Sequence, residues 1–505
     1  MSNLPDKAKA TGAPVARGGS IWPAGVEPTH EHIVAYDYMR EGEGHLFVTG
    51  RAGTGKSTLL TALREMIPEE LAVLAPTGLA AVNVGGQTIH SFFGFPPRLI
   101  RPDDIRRSRN GKVMRRLKFL IIDEVSMVRS DIMWAIDQSL RVNRGRPREP
   151  FGGVRLAMFG DLHQLPPVID EGEVAEYLDT AHGGPFFFSI SALREGTGTA
   201  LVELSQVFRQ KDEALIDVLN RVREGEVDEE DLQALNERVH PIRTLAEGND
   251  YVILTPTNAA ASRINQAYLG ALSGTAYEYK AATTGDYNTA SQPTDEALVL
   301  KVGAKVMLLR NDPDRRWVNG TIARISRLDE KRVWVDVDGE EHEIEQASWE
   351  SRRYAFDTAE AKIVETVAGT FRQFPLRAAW ALTIHKSQGL TLDKVYIDLG
   401  RGTFAHGQAY VALSRCRTLE GLALARPLKP SDILFDPAAM GYRRAFEQLG
   451  KILRLDRLQP FETGWIGQKC SGAIVTLVTS STLLEPTAAC TSAGWRSTPG
   501  PMWIG

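Results

Sequence analysis

Short, continuous apolar runs alternate with helical stretches between residues 28 and 204. The runs HLFVTG, LAVLAP, FLIID and RLAMFG, at residues 45–50, 71–76, 119–123 and 155–160, are apolar enough to be buried on both faces. Such runs are typical of parallel strands covered by helices. The amphipathic stretch KSTLLTALREM after the first run predicts a crossover helix. The pattern therefore predicts an α/β domain with a parallel sheet.

A second alternating block follows and is interrupted by a different pattern. YVILTPTN, WALTIHKSQG and KVYIDLG contain apolar, strand-like runs, and ASRINQAYLGAL and AHGQAYVALSRC are helical. Between them, RVWVDVDGEEHEIE alternates with period two and turns at Asp338-Gly339, a strong hairpin signal. We therefore predict a second parallel domain that carries a small antiparallel β insertion.

These patterns predict seven segments along the chain. We expect a flexible leader at 1–27, the first domain at 28–200, the second domain at 201–318 and 375–438, the insertion at 319–374, a C-terminal helix at 439–461 and a poorly ordered tail at 462–505. The tail is rich in Ser, Thr, Gly and Ala and carries hardly any charge, so we expect little order there.

Composition excludes several classes of protein and leaves the chemistry to the motifs. The chain has 505 residues, a net charge of −4, 43% hydrophobic and 24% charged residues, and three cysteines. These values exclude a disordered chain and a disulfide scaffold, and they favour a reducing compartment. Since no apolar run approaches about 20 residues, we expect a cytoplasmic protein without a membrane contact, associated with the nucleoid if it is bacterial.

One segment departs from the near-neutral average. Residues 98–118 carry nine Lys and Arg against Asp103 and Asp104. Such a run is either a solvated face or a patch that contacts phosphates, and the local pattern favours neither.

The clearest chemical signal is a phosphate-binding loop. Residues 50–57 read GRAGTGKS and match G-x-x-x-x-G-K-[ST] between a predicted strand and a predicted helix. The expected nucleotide contacts come from Gly53, Thr54, Gly55, Lys56, Ser57 and Thr58. Backbone N–H groups and the helix N-terminus would surround phosphate oxygens. We expect Lys56 to reach the β and γ phosphates and Ser57 to hold Mg²⁺.

Polar residues at the ends of two further strands supply the groups that hydrolysis needs. Asp123 and Glu124 follow the apolar run FLII; Asp123 would support Mg²⁺, and Glu124 would activate water. Gln164 follows LAMFG in the stretch DLHQLPP. An amide there can sense the γ phosphate, because ligands of open α/β sheets bind outside the carboxyl ends of the strands. The predicted cofactors are ATP and Mg²⁺.

Several long motifs then occur in the order and spacing of superfamily 1 helicases. They are APTGLAAVNVGGQTIHSFFGF at 75–95, IIDEVSMV at 121–128, GDLHQLPPV at 160–168, LSQVFRQ at 204–210, LTIHKSQGLTLDKV at 382–395 and AYVALSRCRTLEGL at 409–422. The set resembles the petite-integration-frequency (PIF) family of superfamily 1B DNA helicases, relatives of RecD. The likeness runs from about residue 31 to 438.

The resemblance implies a fold and an activity. The fold would have two RecA-like domains with ATP between them, an SH3-like 2B insertion, and a small 1B element near 96–116 that separates strands. The activity would be ATP-dependent 5′ to 3′ movement on single-stranded DNA and unwinding of partial duplexes, with a monomer as the working unit. Roles in DNA repair, recombination and telomere maintenance are associated with the family.

The resemblance also assigns residues that the local pattern does not. Arg209 and Arg415 would be arginine fingers from the second domain, which stabilise charge on the γ phosphoryl group. The DNA-binding positions would be Thr77, Thr88, His90, Phe92, Asn258, His385, Lys386 and Ser387. Phe92 could stack on a base, although Phe92-Phe93 also suits core packing, and we expect at least one of this pair to be buried.

One departure from the family and two alternative functions remain open. The family commonly has an adenine-reading glutamine before the phosphate loop, but THEHIVAYDYM at residues 29–39 has none. His32 could offer a single hydrogen bond instead, without the paired donor and acceptor of an amide. The alternatives to a DNA helicase are an enzyme that unwinds RNA or RNA–DNA hybrids and a non-enzymatic strand-binding factor with a vestigial ATPase.

Overall fold

Two parallel sheets and a group of antiparallel strands organise the chain in the computed structural model. It describes residues 22–23, 26–66, 70–169, 172–193, 198–208, 212–287, 292–314, 316–357, 362–437, 439 and 441. The helices are α1 His30–Glu41, α2 Lys56–Met66, α3 Gly78–Asn83, α4 Ile89–Phe93, α5 Gly111–Arg116, α6 Ser130–Arg144, α7 Glu173–His182, α8 Glu213–Glu224, α9 Glu229–Asn236, α10 Leu245–Gly248, α11 Asn258–Ala271 and α12 Gln408–Leu413. The strands are β1 His45–Gly50, β2 Leu71–Ala75, β3 Gln87–Thr88, β4 Phe119–Ile122, β5 Arg155–Phe159, β6 Thr199–Leu204, β7 Val252–Thr255, β8 Tyr277–Lys280, β9 Ala282–Gly285, β10 Ala297–Leu300, β11 Lys305–Leu308, β12 Ile322–Leu328, β13 Val333–Val337, β14 Glu340–Ile344, β15 Ala347–Asp357, β16 Lys362–Gln373, β17 Leu376–Ala378, β18 Ala381–Thr383, β19 Val395–Ile397 and β20 Leu422–Leu424.

The first lobe is built on a six-stranded parallel sheet in the order β3-β2-β4-β5-β1-β6. Every residue of β2 and β4 is buried, as the continuous apolar runs predicted. The predicted domain boundary between residues 200 and 201 is wrong, because it falls inside β6. That strand pairs with β1 from His45 to Gly50 and closes the edge of the first sheet.

The second lobe contains a four-stranded parallel sheet in the order β18-β7-β19-β20. Helices α8 and α12 pack on it, and their apolar side chains share one core with those of β7, β19 and β20. The prediction of two parallel-sheet domains is confirmed. In each lobe, loops leave the carboxyl ends of adjacent strands at one edge, where polar side chains can converge.

The insertion is larger than predicted. Strands β14-β13-β12-β11-β17 form an antiparallel sheet, β15-β16-β9 form a second, and β10 pairs with β8. Asp338 and Gly339 both have positive φ, 53° and 88°, and make the expected two-residue turn. The predicted bounds 319–374 are wrong because β9 and β11, which lie outside them, pair with β16 and β12, and β17 pairs with β11.

The long β15–β16 hairpin joins the insertion to the first lobe. Tyr354 on β15 is 4% exposed and lies edge-on to Phe92, with ring centroids 5.8 Å apart. Its hydroxyl accepts a hydrogen bond from the N–H of Val73 on β2 at 2.9 Å. Val73 lies beyond the short strand β3, so the hydroxyl satisfies a backbone donor that the sheet leaves unpaired there.

Part of the predicted 1B segment is packed in the core of the first lobe. Within 96–116, α5 buries Val113 and Met114 in the core of the first lobe. Almost all of the predicted helix at 439–461, the tail at 462–505 and most of the leader at 1–27 lie outside the described residues. Among the residues that the structure does describe, no helix combines the length and apolarity needed to span a bilayer.

Candidate nucleotide cleft and strand-binding surface

The phosphate loop lies between β1 and α2, as predicted. Gly50, Gly53 and Gly55 all have positive φ, and a Cβ on Gly50 would approach the carbonyl oxygen of Leu204 to 2.7 Å. The loop therefore requires glycine at a position where the first lobe is tightly packed. Lys56 Nζ donates to the carbonyl oxygens of Gly50 at 2.6 Å and Arg51 at 2.9 Å. The ammonium is thus held inside the loop.

The acidic pair follows β4, and burial changes its titration. Asp123 N–H donates to the carbonyl oxygen of Leu74 at 2.9 Å, which extends the sheet by one residue. Glu124 adopts left-handed backbone angles, φ 49° and ψ 42°, a strained conformation that is concentrated at functional sites. Burial raises the pKa of Asp123 to about 6 and that of Glu124 to about 7, and the Asp123 charge contributes to the latter. A carboxylate with a pKa near neutrality suits a general base.

The chemistry of two side chains fits Mg²⁺. Ser57 is exposed at the start of α2, and Asp123 is a half-buried carboxylate whose ionised form is disfavoured by burial. Hydroxyl and carboxylate oxygens are the ligands that this hard cation prefers, and a cation there would offset the cost of the buried charge. Ser57 and Asp123 could therefore hold a magnesium ion together with phosphate oxygens of a nucleotide.

Gln164 of the first lobe meets groups from the second lobe at the same cleft. Gln164 is 7% exposed; its Oε1 accepts from Gln388 Nε2, and its Nε2 donates to Asp161 Oδ2, both at 3.4 Å. Arg415 is 1% exposed, and its Nε donates to the carbonyl oxygen of Val411 at 2.9 Å. Two further bonds from Nη1 reach the carbonyl oxygens of Ser387 and Leu390, at 3.3 Å each. These contacts fix the guanidinium in one orientation.

One cleft, with a volume of about 710 Å³, collects most of the predicted nucleotide-binding residues. Its lining includes Gly53, Thr54, Gly55, Lys56, Ser57, Thr58, Glu124, Gln164 and Arg415. Asp123 is adjacent to Glu124 at the end of β4. Arg209, the other predicted finger, lies outside the described residues. Phe208 before it also lines the cleft, and its N–H donates to the carbonyl oxygen of Gly53 at 2.9 Å.

His32 lies in the cleft but does not offer its ring to a base. The ring Nδ1 accepts from Thr29 N–H at 3.1 Å, so Nε2 carries the proton and donates to the carbonyl oxygen of Gly55 at 3.2 Å. Burial lowers the pKa of His32, which favours this neutral form. Both ring nitrogens are therefore engaged: Nδ1 caps the N-terminus of α1, and Nε2 joins α1 to the phosphate loop. The expectation that His32 supplies a hydrogen bond to adenine is not supported by this geometry.

A buried ion pair between the lobes was not predicted from the sequence. Arg223 on α8 is 6% exposed and contacts Asp161 Oδ1 at 3.3 Å and Glu203 Oε1 at 3.5 Å. His163 Nδ1 donates to the carbonyl oxygen of Arg223 at 2.9 Å, and burial lowers the pKa of His163 to about 4. The same Asp161 contacts Gln164. The second lobe is thus connected to Gln164 in the cleft through the carboxylate of Asp161.

Most of the predicted DNA-binding residues lie at the carboxyl edges of the two sheets. The hydroxyls of Thr77 and Thr88 cap α3 and α4 by accepting from Ala80 N–H and Ser91 N–H. Each hydroxyl keeps its own hydrogen for a further acceptor. Exposed Asn258 begins α11.

The histidines and the lysine on this surface are partly shielded. His90 and His385 are half-buried, and burial lowers the pKa of each. Lys386 is exposed, although partial burial of its ammonium lowers its pKa as well.

Two of the predicted DNA contacts are wrong. Phe92 is fully buried between Phe93 and Tyr354, where no base can stack on it, and Phe93 is only 5% exposed. Ser387 is also fully buried, and its hydroxyl donates to the carbonyl oxygen of Ile384 at 2.8 Å. Phe92 is packed in the core, and the hydroxyl of Ser387 is used in the turn after β18.

The arrangement of two parallel-sheet lobes around one phosphate-loop cleft defines a class, the P-loop motor ATPases. Family models match the chain as a PIF1-like helicase at residues 29–233 and as the 2B domain of DNA helicase Pif1 at residues 289–328. An ATP-dependent DNA helicase Pif1 from Bdellovibrio bacteriovorus is 36% identical over 452 residues, which cover 86% of this chain and 97% of that protein.

Solved structures agree with the sequence comparisons. Bacteroides sp. Pif1 in complex with ADP-AlF4 is 38% identical, with a TM-score of 0.76, and the match covers 84% of this chain and 98% of that one. Bacteroides Pif1 bound to single-stranded DNA has the same identity and a TM-score of 0.60, over 84% and 98% of the two chains. The chain belongs to the PIF1-like helicase family and is an ATP-dependent DNA helicase.

Proposed function

We propose that this helicase moves 5′ to 3′ along single-stranded DNA and unwinds the duplex ahead, with one chain as the working unit and Mg²⁺ as the cofactor of ATP. The observation that carries the proposal is that both lobes contribute to one cleft. Lys56, Glu124 and Gln164 come from the first lobe, and Arg415 and Gln388 come from the second. A relative of this family binds single-stranded DNA.

The cleft residues divide the reaction between them. Glu124 would accept a proton from the attacking water, because its carboxyl titrates near neutrality. Lys56 and Arg415 would stabilise negative charge that grows on the γ phosphoryl group, and Gln164 would orient the water or sense the γ phosphate. Ser57 and Asp123 would hold the magnesium ion, which would supply further neutralisation of phosphate charge.

Coupling to DNA follows from the positions of the strand residues. Thr77 and Thr88 belong to the first lobe, whereas Asn258, His385 and Lys386 belong to the second. Arg415 donates to the carbonyl oxygen of Ser387, the residue after Lys386. A change in the distance between the lobes during hydrolysis would therefore change the spacing of the two groups that hold the strand. The direction of movement rests on the family resemblance.

Unwinding of partial duplexes tests the direction. The substrates would carry either a 5′ or a 3′ single-stranded tail of equal length and sequence, with matched RNA tails as a second pair. We expect ATP-dependent strand release only from the 5′-tailed DNA, with Lys56→Ala as the inactive control. Release from the 3′-tailed DNA would refute the proposed direction, and equal use of RNA tails would favour the alternative substrate.

A further inference from the structure

A second cavity, of about 460 Å³, lies between the first lobe and the β15–β16 hairpin. Four arginines and two phenylalanines are part of its lining: Arg106, Arg107, Arg109, Arg353, Phe93 and Phe95. We call it the cationic cavity. It is separate from the nucleotide cleft, because the two share no lining residue.

The arginines of the basic segment differ in whether they form ion pairs. Some are neutralised: Arg98 binds Asp104 through two hydrogen bonds of 2.6 and 2.8 Å, and Arg116 pairs with Glu70 at 3.1 Å. By contrast, the three arginines at the cavity are exposed, and none forms an ion pair with a residue that the structure describes. These are Arg106, Arg107 and Arg109.

The hairpin adds an arginine that is already paired with a carboxylate. Arg353 lies on β15 and forms an ion pair with the exposed carboxylate of Asp286. Asp104, the carboxylate that lines the cavity, is already neutralised by Arg98. The cavity therefore keeps the positive charge of Arg106, Arg107 and Arg109 in a chain whose net charge is −4. An anionic ligand would be attracted to it.

The remaining walls of the cavity offer aromatic surface and a hydrogen-bond acceptor, which a simple inorganic anion would not use. Phe93 and Phe95 lie stacked, with ring centroids 5.1 Å apart and planes 9° from parallel. Gln87 lines the cavity and is 5% exposed; its Oε1 has no hydrogen-bond donor among the described residues. A nucleotide combines phosphate oxygens for the arginines with an aromatic base whose ring faces and amino groups match these walls.

The cavity adjoins the proposed strand path. Thr88 caps the N-terminus of α4, and Ser91, Phe93 and Gly94 at the other end of this helix line the cavity. Five helical residues span about 7.5 Å at about 1.5 Å each. Nucleic acid held at Thr88 would thus lie close to the mouth of the cavity.

We propose that the cationic cavity binds the phosphodiester backbone of the second DNA strand, the one that the two lobes do not hold. The proposal rests on the proposed helicase function. Exposed guanidinium groups gain little from one small anion, because water and salt screen the pair. A strand presents several linked phosphates, and release of its condensed counterions adds to the affinity with each contact. A polyanion therefore uses this surface better than a free nucleotide does.

Binding of forked DNA tests the proposal. The probes are one duplex with a 5′ tail alone and the same duplex with a second, non-complementary arm on the other strand. We expect the wild type to bind the two-armed fork at least about tenfold more tightly near 50 mM salt, since each phosphate contact contributes to affinity. The triple variant Arg106→Gln, Arg107→Gln and Arg109→Gln should lose this preference. The slope of log K against log salt for the fork should fall by about 2, from three contacts of about 0.7 each.

A matched triple variant separates a local site from bulk charge. Arg148, Arg243 and Arg401 are exposed, lie outside the cavity and form no ion pair with a described residue. Their replacement by Gln removes the same charge and should leave the preference for the second arm intact. Equal loss in both triple variants, or no loss in the first, overturns the proposal. ATP hydrolysis stimulated by single-stranded DNA should be unchanged in both, and its absence in the wild type would instead refute the proposed function.

Discussion

The nucleotide cleft and the cationic cavity both present cations to phosphates, and they hold those cations in opposite ways. In the cleft, Lys56 and Arg415 are fixed by backbone carbonyl oxygens, and Arg415 is 1% exposed. In the cavity, Arg106, Arg107 and Arg109 extend into solvent without an ion pair among the described residues. The charge is therefore held by backbone carbonyl oxygens and partly or fully buried at one site, and it is exposed to solvent at the other.

This difference suits two different tasks. Donors that are already oriented in a dry site stabilise a transition state without reorganising, which is the largest source of rate in many enzymes. Hydrated arginines can follow a strand that passes by, and their contribution is affinity that falls as salt rises. A motor needs the first property where bonds break and the second where DNA must keep moving.

The largest expected effect comes from removing a group of the cleft. Glu124→Gln keeps the shape of the side chain but cannot take a proton, so ATP turnover should fall about 10²- to 10⁴-fold. Lys56→Ala should also abolish turnover, because it removes the ammonium that reaches the phosphates. Steady-state phosphate release in the presence of single-stranded DNA measures both.

A matched glutamate variant and a DNA-binding assay serve as controls for these two variants. Glu226→Gln makes the same change at an exposed glutamate and should turn over normally. Binding of single-stranded DNA should persist in Lys56→Ala and Glu124→Gln, because the strand residues lie outside the cleft lining. Unaltered turnover in either variant would mean that the cleft is not the hydrolytic site.

Disruption of the buried ion pair between the lobes should have a smaller effect on turnover than removal of a cleft group, but a large effect on stability. Arg223→Met leaves Asp161 buried without its cation, and breaking such a pair costs about 3–5 kcal/mol of unfolding free energy. Turnover should fall as well, because Asp161 also holds Gln164. Urea unfolding and steady-state ATPase assays give the two values, and Arg223→Lys should restore part of both.

The comparison of the two regions predicts a sharp contrast with the cavity arginines. Arg106→Gln removes an exposed guanidinium and should change the unfolding free energy by no more than about 0.5 kcal/mol. If Arg223→Met proved equally mild, the two regions would not differ in how they hold charge, and the link through Asp161 would have no structural importance.

Local patterns predicted the parts of the fold that depend on neighbouring residues. Strands β1, β2, β4 and β5 were visible because buried parallel strands are continuous apolar runs. The phosphate loop was visible because its glycines and Lys56 lie within eight residues of one another. The turn at Asp338-Gly339 was visible for the same reason.

Features that depend on distant pairing were not predictable in this way. The lobe boundary failed because β6 belongs to the first sheet only through its pairing with β1. Asp161 and Arg223 are 62 residues apart, and nothing in the sequence near either one marks the pair. Phe92 and Ser387 belong to motifs that resemble DNA-binding segments, but tertiary packing decides which side chains of a motif face outward.

An effect on stability between those of Arg223→Met and Arg106→Gln concerns the hairpin that carries Arg353 to the cationic cavity. Tyr354→Phe removes the hydroxyl that accepts from Val73 N–H, so a buried donor loses this partner at a cost of about 1–3 kcal/mol. Hydrogen exchange should become faster in β2 and β15, while the ATPase activity should stay near normal. Tyr277→Phe, on half-buried Tyr277 of β8, serves as the control. Unchanged exchange in β2 would show that the hairpin is held by packing alone, and the preference for a two-armed fork should then survive the substitution as well.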